Sequence, residues 1–330
     1  MYSGDCQDKF QILENMPIKG YRMMKTKNVA DVVEALIGAC LETGGETVAL
    51  SFVKWLGMDI DIPQEMPFTR KLDTGFVSNV NVRYLESLLK YSFRVHTLVV
   101  ESVTHASYKE PSFSGCYQRL EFLGDAVLDY LITLYFYKTY PGLSPGLLTD
   151  LRSAAVNNDC YAQAAVKCNL HQQLRHASSE LHNQITEFAK LISSSSASGD
   201  HFFGWTTTEV AVPKVLGDLI ESIAGAVLVD SEFDTQLVWN AMKPLLEPLV
   251  TPKTIKYQPV RELQELCQKE FYTCCFDDSQ EEGTSTVKVE VRVKGDSYIE
   301  TCEASNKRTA KKLAAEKVLK SLKAAGLNNH

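Results

Sequence analysis

The chain has 330 residues, 45% of them hydrophobic and 23% charged, with a formal net charge of −7. That length and balance suit a globular chain of two or three domains. No uninterrupted apolar run reaches the length of a bilayer span, and the first residues lack the basic and apolar blocks of a secretory leader. Nine cysteines without C-x-x-C spacing, and seven scattered histidines, argue against a zinc site and for reduced thiols. The expected location is therefore nucleus or cytoplasm, and not secreted.

In chain order, residues 1–62 hold a polar opening and helix signals at 25–31 and 46–57. Two prolines and mixed charge between 59 and 75 place a linker at 63–77. Residues 78–250 alternate helical patterns (80–89, 118–139, 144–158, 159–168, 180–191, 215–229 and 234–248) with short loops. Strand-like alternation is scarce there, so this region reads as all-α, with the serine-rich stretch 193–200 as a flexible surface insertion. After a boundary at Thr251-Pro-Lys-Thr, the segment 257–326 changes character. A helix over 259–271 is followed by the period-two strand Val287-Lys-Val-Glu-Val-Arg-Val293, a second strand over 298–304, and a periodic helix over 305–325. The expected fold class is mainly α: an all-α domain followed by a small α-β-β-β-α domain.

Charge divides unevenly along this plan. From residue 251 onward there are 14 basic and 12 acidic residues, a local +2, which leaves −9 for the rest. Between Asn306 and Lys323 seven basic residues face one acid. A polyanion responds to such a stripe more than to the chain total.

Four acids stand out. Glu121 and Asp125 lie four apart in Gln118-Arg-Leu-Glu121-Phe-Leu-Gly-Asp125, and Asp218 and Glu221 lie three apart in Gly217-Asp218-Leu-Ile-Glu221. At helical spacing each pair shares a face, so like charges sit one turn apart among apolar neighbours. A buried pair of this kind is neutralised by a cation, by a shared proton or by an ion pair. Two converging pairs would offer four hard oxygen ligands, suited to Mg²⁺ or Mn²⁺. The second element has an earlier twin, Ala30-Asp31-Val-Val-Glu34-Ala-Leu-Ile-Gly-Ala, and both of its acids are offset by the same 187 residues. An internal repeat of this kind predicts two related domains.

The segment from Gln118 to Asp125 resembles the signature of the ribonuclease III family, and Asp218 to Glu221 its second acidic element. The run Ser144-Pro-Gly-Leu-Leu-Thr-Asp150-Leu-Arg152-Ser-Ala-Ala-Val-Asn157-Asn158 is similar to the last ribonuclease domain of Dicer and Dicer-like proteins, here plant-like. The resemblance implies a complete ribonuclease III domain at 78–250. Its metal-binding, catalytic set would be Glu121, Asp125, Asp218 and Glu221, holding two Mg²⁺ or Mn²⁺ ions. Lys214 matches a lysine of the Dicer-type site, either touching the scissile phosphate or leaving oxygen, or making a surface salt bridge; Gln118 is given no ligand role. The segment 257–326 resembles a double-stranded-RNA-binding domain. Gln264 and Glu265 of its first helix would face a minor groove, and Lys307, Arg308, Lys311 and Lys312 of its last helix the phosphates of a major groove. The basic run by itself also fits an ordinary solvated helix. The acidic stretch 277–286 is read as a loop, lacking the Gly-Pro-x-His many such domains use.

Residues 1–62 read as the C-terminal remnant of a first ribonuclease III domain, in which Asp31 and Glu34 form a vestigial, inactive acidic pair. The resemblance implies cleavage of double-stranded RNA by two-metal phosphodiester hydrolysis, as in small-RNA processing, with pairing to a second copy or to another ribonuclease III protein. A non-catalytic double-stranded-RNA-binding or partner subunit stays open as the alternative, as does a shortened form of a larger Dicer-like protein. No membrane partner is expected.

Overall fold

The computed structural model describes residues 26–58, 80–109, 115–195, 211–255, 259–281, 284–293, 295–304 and 306–327. It divides into two units, Met1–Lys71 and Leu72–His330. The expected linker at 63–77 and most of the serine-rich stretch fall outside the described residues.

In the first unit the two expected helices follow one another within α1 (Thr26–Trp55), separated by a kink at Gly45, whose backbone is not helical (φ 71°, ψ −171°). Only glycine takes that conformation readily, so Gly45 ends the first helix and lets the second begin at once. Asp31 and Glu34 are both exposed on α1. So are Val29, Val32, Leu36 and Trp55. By length and composition α1 is apolar enough to cross a bilayer, a test that the core helix of a soluble protein also passes. Acids inside this helix interrupt its apolar run without making its average polar.

The second unit begins with α2 (Val82–Leu89), α3 (His96–Ser102), α4 (Gln118–Thr139), α5 (Pro145–Ala155) and α6 (Asn158–Lys167). A short 3₁₀ turn (Leu170–Gln172) leads to α7 (Ser179–Ser195), α8 (Lys214–Asp230) and α9 (Thr235–Leu246). Side-chain caps set several starts: Asn81 accepts from Tyr84 N–H, Ser144 from Leu147 N–H with Pro145 following, and Asp234 from Gln236 and Leu237 N–H. The pattern expected as one helix over 144–158 ends at Ala155, because Asn157 caps α6 by accepting from Cys160 N–H. The short α3, which has no side-chain cap, was not anticipated.

Helix α8 is the centre of the core. Leu216, Leu219, Ile220, Ala224, Ala226 and Val227 are each 0% exposed, and Leu128 and Ile132 of α4 are as deeply buried. Burying each such leucine or isoleucine contributes about 1.5–3 kcal/mol, so these two helices are held as one rigid pair. At the far end of α8 the buried Asp230 accepts from Tyr91 Oη and from the N–H groups of Arg94 and Val95, at 2.8–2.9 Å. This ties the α2–α3 loop to the core and satisfies the carboxylate.

The remainder is α10 (Pro259–Lys269), β1 (Thr273–Glu281), β2 (Thr284–Val293), β3 (Asp296–Ala304) and α11 (Lys307–Ala324). The strands form an antiparallel sheet in the order β1-β2-β3, with Val289 opposite Phe276 on one side and Glu300 on the other. Val287, Val289, Val291 and Val293 point inward against Leu263 of α10 and against Ala310, Ala314, Val318 and Leu322 of α11. This is the expected α-β-β-β-α plan, with one correction. The described residues of the acidic stretch 277–286 are strand and not loop: Asp277 through Glu281 complete β1, and Thr284 through Thr286 open β2. Asp277 faces Lys288 across the ladder, and such opposite-charge pairs offset the low strand propensity of aspartate.

Candidate active site

Helices α4 and α8 touch backbone to backbone. A Cβ on Gly124 would lie 1.7 Å from the carbonyl oxygen of Glu221, and one on Gly225 would lie 2.1 Å from that of Leu120. No larger residue fits either place. The crossing brings the acidic turn of α4 against the acidic turn of α8.

Three of the four predicted acids converge there. Carboxylate oxygens of Glu121, Asp218 and Glu221 lie within 4.8 Å of one another. Asp125, exposed on α4, stands outside that triad, yet its charge is the largest of those acting on Glu221. Burial first, then the charges of Asp125, Asp218 and Glu121, push the Glu221 carboxyl up to about 8, with Lys214 acting in the opposite sense. At neutral pH Glu221 is therefore largely protonated, as expected where like charges crowd a half-buried site.

Lys214, the first residue of α8, closes the cluster. Its ammonium donates to Glu121 Oε1 at 2.9 Å and to Asp218 Oδ1. Burial by itself would lower the amine's pKa, but hydrogen bonds and charge from Asp218 and Glu121 outweigh it and hold the group above the usual lysine range. Asp218 is buried and takes a further hydrogen bond on Oδ2 from Tyr117 Oη at 3.0 Å. Deeper in, Tyr161 is 0% exposed, and its hydroxyl finds no hydrogen-bond partner among the described residues. Burial, then the charges of Glu221, Cys160 and Asp125, push that phenol far up.

This donor set fits a divalent cation. All the converging groups are carboxylate oxygens, the ligands hard cations take. The Lys214 ammonium already stands as a cation between Glu121 and Asp218, and the buried Tyr161 hydroxyl, without a hydrogen-bond partner among the described residues, feels the charges of Glu221 and Asp125. Among the described residues Asp31 and Glu34 join no such cluster. A Cβ at Gly38, the counterpart of Gly225 at the same offset of 187, would touch nothing within 4 Å among the described residues.

The basic face of α11 is partly engaged within the chain. Lys307 pairs with Asp278 at 2.8 Å, and the Lys311 ammonium sits 4.4 Å from the Phe276 ring centroid. Lys312 pairs with Asp159 of α6 at 2.8 Å, both side chains largely buried. Arg308 is exposed, as are Gln264 and Glu265 of α10, the last paired with Arg261. Arg261 also reaches Asp150 of α5 at 2.7 Å.

Sequence reasoning missed Tyr117, Tyr161, the Gly124–Gly225 crossing and Asp159. For the glycines a signal existed, since each interrupts an otherwise strong helical pattern. For the tyrosines the pattern held none.

Residues 118–232 match the ribonuclease III domain, and residues 259–322 match the double-stranded RNA binding motif. The chain is 49% identical over 315 residues to Endoribonuclease Dicer homolog 2 of Arabidopsis thaliana, covering 94% of this chain and 22% of that protein. It is 46% identical to Dicer homolog 2a of Oryza sativa subsp. japonica, covering 91% and 21%. Among solved structures it is similar to the nuclease domain of ribonuclease III from Campylobacter jejuni, with 28% identity, a TM-score of 0.37, and 51% of this chain and 98% of that one covered. The chain spans about a fifth of the length of the curated relatives it matches. It is a ribonuclease III-domain protein, with a double-stranded RNA binding motif after the nuclease domain, and is related to the plant Dicer homologues.

Proposed function

We propose that this chain is an endoribonuclease that hydrolyses phosphodiester bonds of double-stranded RNA, with Glu121, Asp125, Asp218 and Glu221 holding its divalent cations. The observation that carries the reading is the convergence of Glu121, Asp218 and Glu221 at the α4–α8 crossing, with Asp125 acting on Glu221. Two Mg²⁺ or Mn²⁺ ions, when bound, supply a water activated at neutral pH and a counter-charge for the leaving 3′ oxygen. Within the chain, Glu221 would hold a cation as its ionised carboxylate, its proton passing to solvent. Lys214, displaced from Glu121 and Asp218, turns its ammonium toward the RNA phosphate. Arg308, Lys307, Lys311 and Lys312 of α11 hold the duplex backbone, and Gln264 and Glu265 meet the minor groove.

Phe122 is 81% exposed on the outer face of α4, an apolar contact for a second ribonuclease III domain. Such pairing sets two sites on one duplex, whereas one domain nicks a single strand. The free cysteines fit a reducing compartment, the nucleus or cytoplasm.

The test is incubation of the purified chain with end-labelled duplex RNA and Mg²⁺, with Ca²⁺ as control, alongside Glu221→Gln. Cleavage by the wild type, its loss in the variant and equal RNA binding by both support the reading. Full cleavage by Glu221→Gln removes the assignment of the acids. Binding without cleavage by the wild type makes the chain a non-catalytic RNA-binding subunit instead.

A further inference from the structure

One member of the acid cluster is not a formal charge. Tyr117 precedes α4 and is 4% exposed. Its N–H donates to Thr104 O at 2.9 Å, and its carbonyl accepts from Glu121 N–H at 2.8 Å. The residue is thus strapped between the segment after α3 and the turn that carries Glu121. Its ring also rests beside that of His105, with centroids 5.8 Å apart. From this fixed place the hydroxyl donates to Asp218 Oδ2 at 3.0 Å.

The two oxygens of Asp218 therefore have separate partners. Oδ2 is held by Tyr117, while Oδ1 accepts from the same ammonium that lies 2.9 Å from Glu121 Oε1. Terminal torsions of aspartate are broad and nearly two-fold, so an untethered carboxylate turns easily. The tyrosine removes that freedom and leaves the other oxygen on the ammonium that Glu121 shares.

We propose that Tyr117 is a positioning residue for cation binding, its hydroxyl fixing Oδ2 of Asp218 so that Oδ1 faces the position between Glu121 and Glu221. This rests on the metal-dependent reading of the acid cluster. Ligating carboxylates are commonly hydrogen-bonded by an outer partner, and losing that partner weakens metal affinity or activity about 10–100-fold. Tyr117 remains a donor at neutral pH, because burial and then the charge of Asp218 keep its phenol protonated.

The experiment measures Mn²⁺ binding to the full chain by electron paramagnetic resonance without RNA, in the wild type, Tyr117→Phe and Tyr84→Phe. Phenylalanine keeps the ring and the backbone strap and removes only the hydroxyl. Tyr84 is the control: its hydroxyl donates to Cys168 O, away from the acids. The expected result is a Mn²⁺ Kd raised about tenfold or more by Tyr117→Phe, with Tyr84→Phe unchanged. In cleavage assays Tyr117→Phe recovers as Mn²⁺ is raised, with KM for duplex RNA unaltered. A Kd within twofold of wild type overturns the proposal, and so does equal weakening by Tyr84→Phe. A wild-type chain that binds no Mn²⁺ overturns the metal reading itself, an outcome distinct from the other two.

Discussion

Lys312 of the RNA binding motif is ion-paired at 2.8 Å with Asp159 of the nuclease domain, the side chains being 13% and 10% exposed. A second pair, Arg261 with Asp150 at 2.7 Å, crosses the same junction in a wetter setting. A cation predicted for RNA phosphate is thus held by a carboxylate of the neighbouring domain, and under the proposed function RNA would compete with Asp159 for it.

Breaking the buried pair from either side has opposite consequences for RNA. Lys312→Met removes the ammonium paired with the buried Asp159 and loosens the docked motif, with a loss of about 3–5 kcal/mol in thermal or denaturant unfolding. Duplex affinity falls with it. Asp159→Asn also loosens docking, seen as fewer interdomain cross-links, but removes the carboxylate that competes for Lys312, so duplex affinity in fluorescence anisotropy at fixed salt rises. An unchanged affinity in Asp159→Asn shows that the two partners do not compete.

Gly124→Ala tests the helix crossing. A methyl group there would sit 1.7 Å from the carbonyl oxygen of Glu221, which cannot move without α8. Separating the helices destabilises the domain by about 3 kcal/mol or more, at the upper end of overpacking effects. The acids spread with it, so Mn²⁺ binding is lost together with stability. An equally stable variant with normal Mn²⁺ affinity contradicts the backbone contact.

Much of this arrangement was legible in the sequence, for physical reasons that differ by residue. Glu121 and Asp125, like Asp218 and Glu221, lie at spacings that a helix turns into a shared face, and the apolar residues around them make the helix unambiguous. Val287 to Val293 alternate because one face of β2 is buried and the other is not. Tyr117 was invisible because its partner lies 101 residues away and nothing local marks a hydroxyl as a donor. The strand β1 was hidden because its acids have poor strand propensity, and only pairing with β2 overrides it. The Asp159–Lys312 pair spans 153 residues and two domains, beyond any periodic signal.

Lys214→Met separates two roles of the ammonium. In the absence of metal, Lys214 is the counter-charge of Glu121 and Asp218, so its loss leaves the acids repelling one another. Removing this competing cation tightens Mn²⁺ binding, read by paramagnetic resonance without RNA. Under the proposed function, cleavage at saturating Mn²⁺ slows nonetheless, since the ammonium proposed to face the phosphate is gone. Weaker Mn²⁺ binding in this variant excludes Lys214 as a competitor for the site.

The raised Glu221 carboxyl makes both stability and metal affinity depend on pH. In the folded chain it titrates near 8, against an ordinary value of 4.5. Between these values the unfolded chain has lost the proton while the folded chain retains it, so the folded state binds more protons. Metal-free stability attributable to Glu221 is therefore fully present below about pH 4.5, falls as pH rises and levels off above about 8. Cation binding shows the opposite trend, because it requires the ionised carboxylate and expels its proton. Mn²⁺ affinity rises with pH up to about 8 and then flattens. At pH 7, calorimetry in two buffers of different ionisation enthalpy registers close to one proton released per site. Glu221→Gln removes both the slope in metal-free stability and the proton release; a slope that survives the substitution assigns the titration to another group.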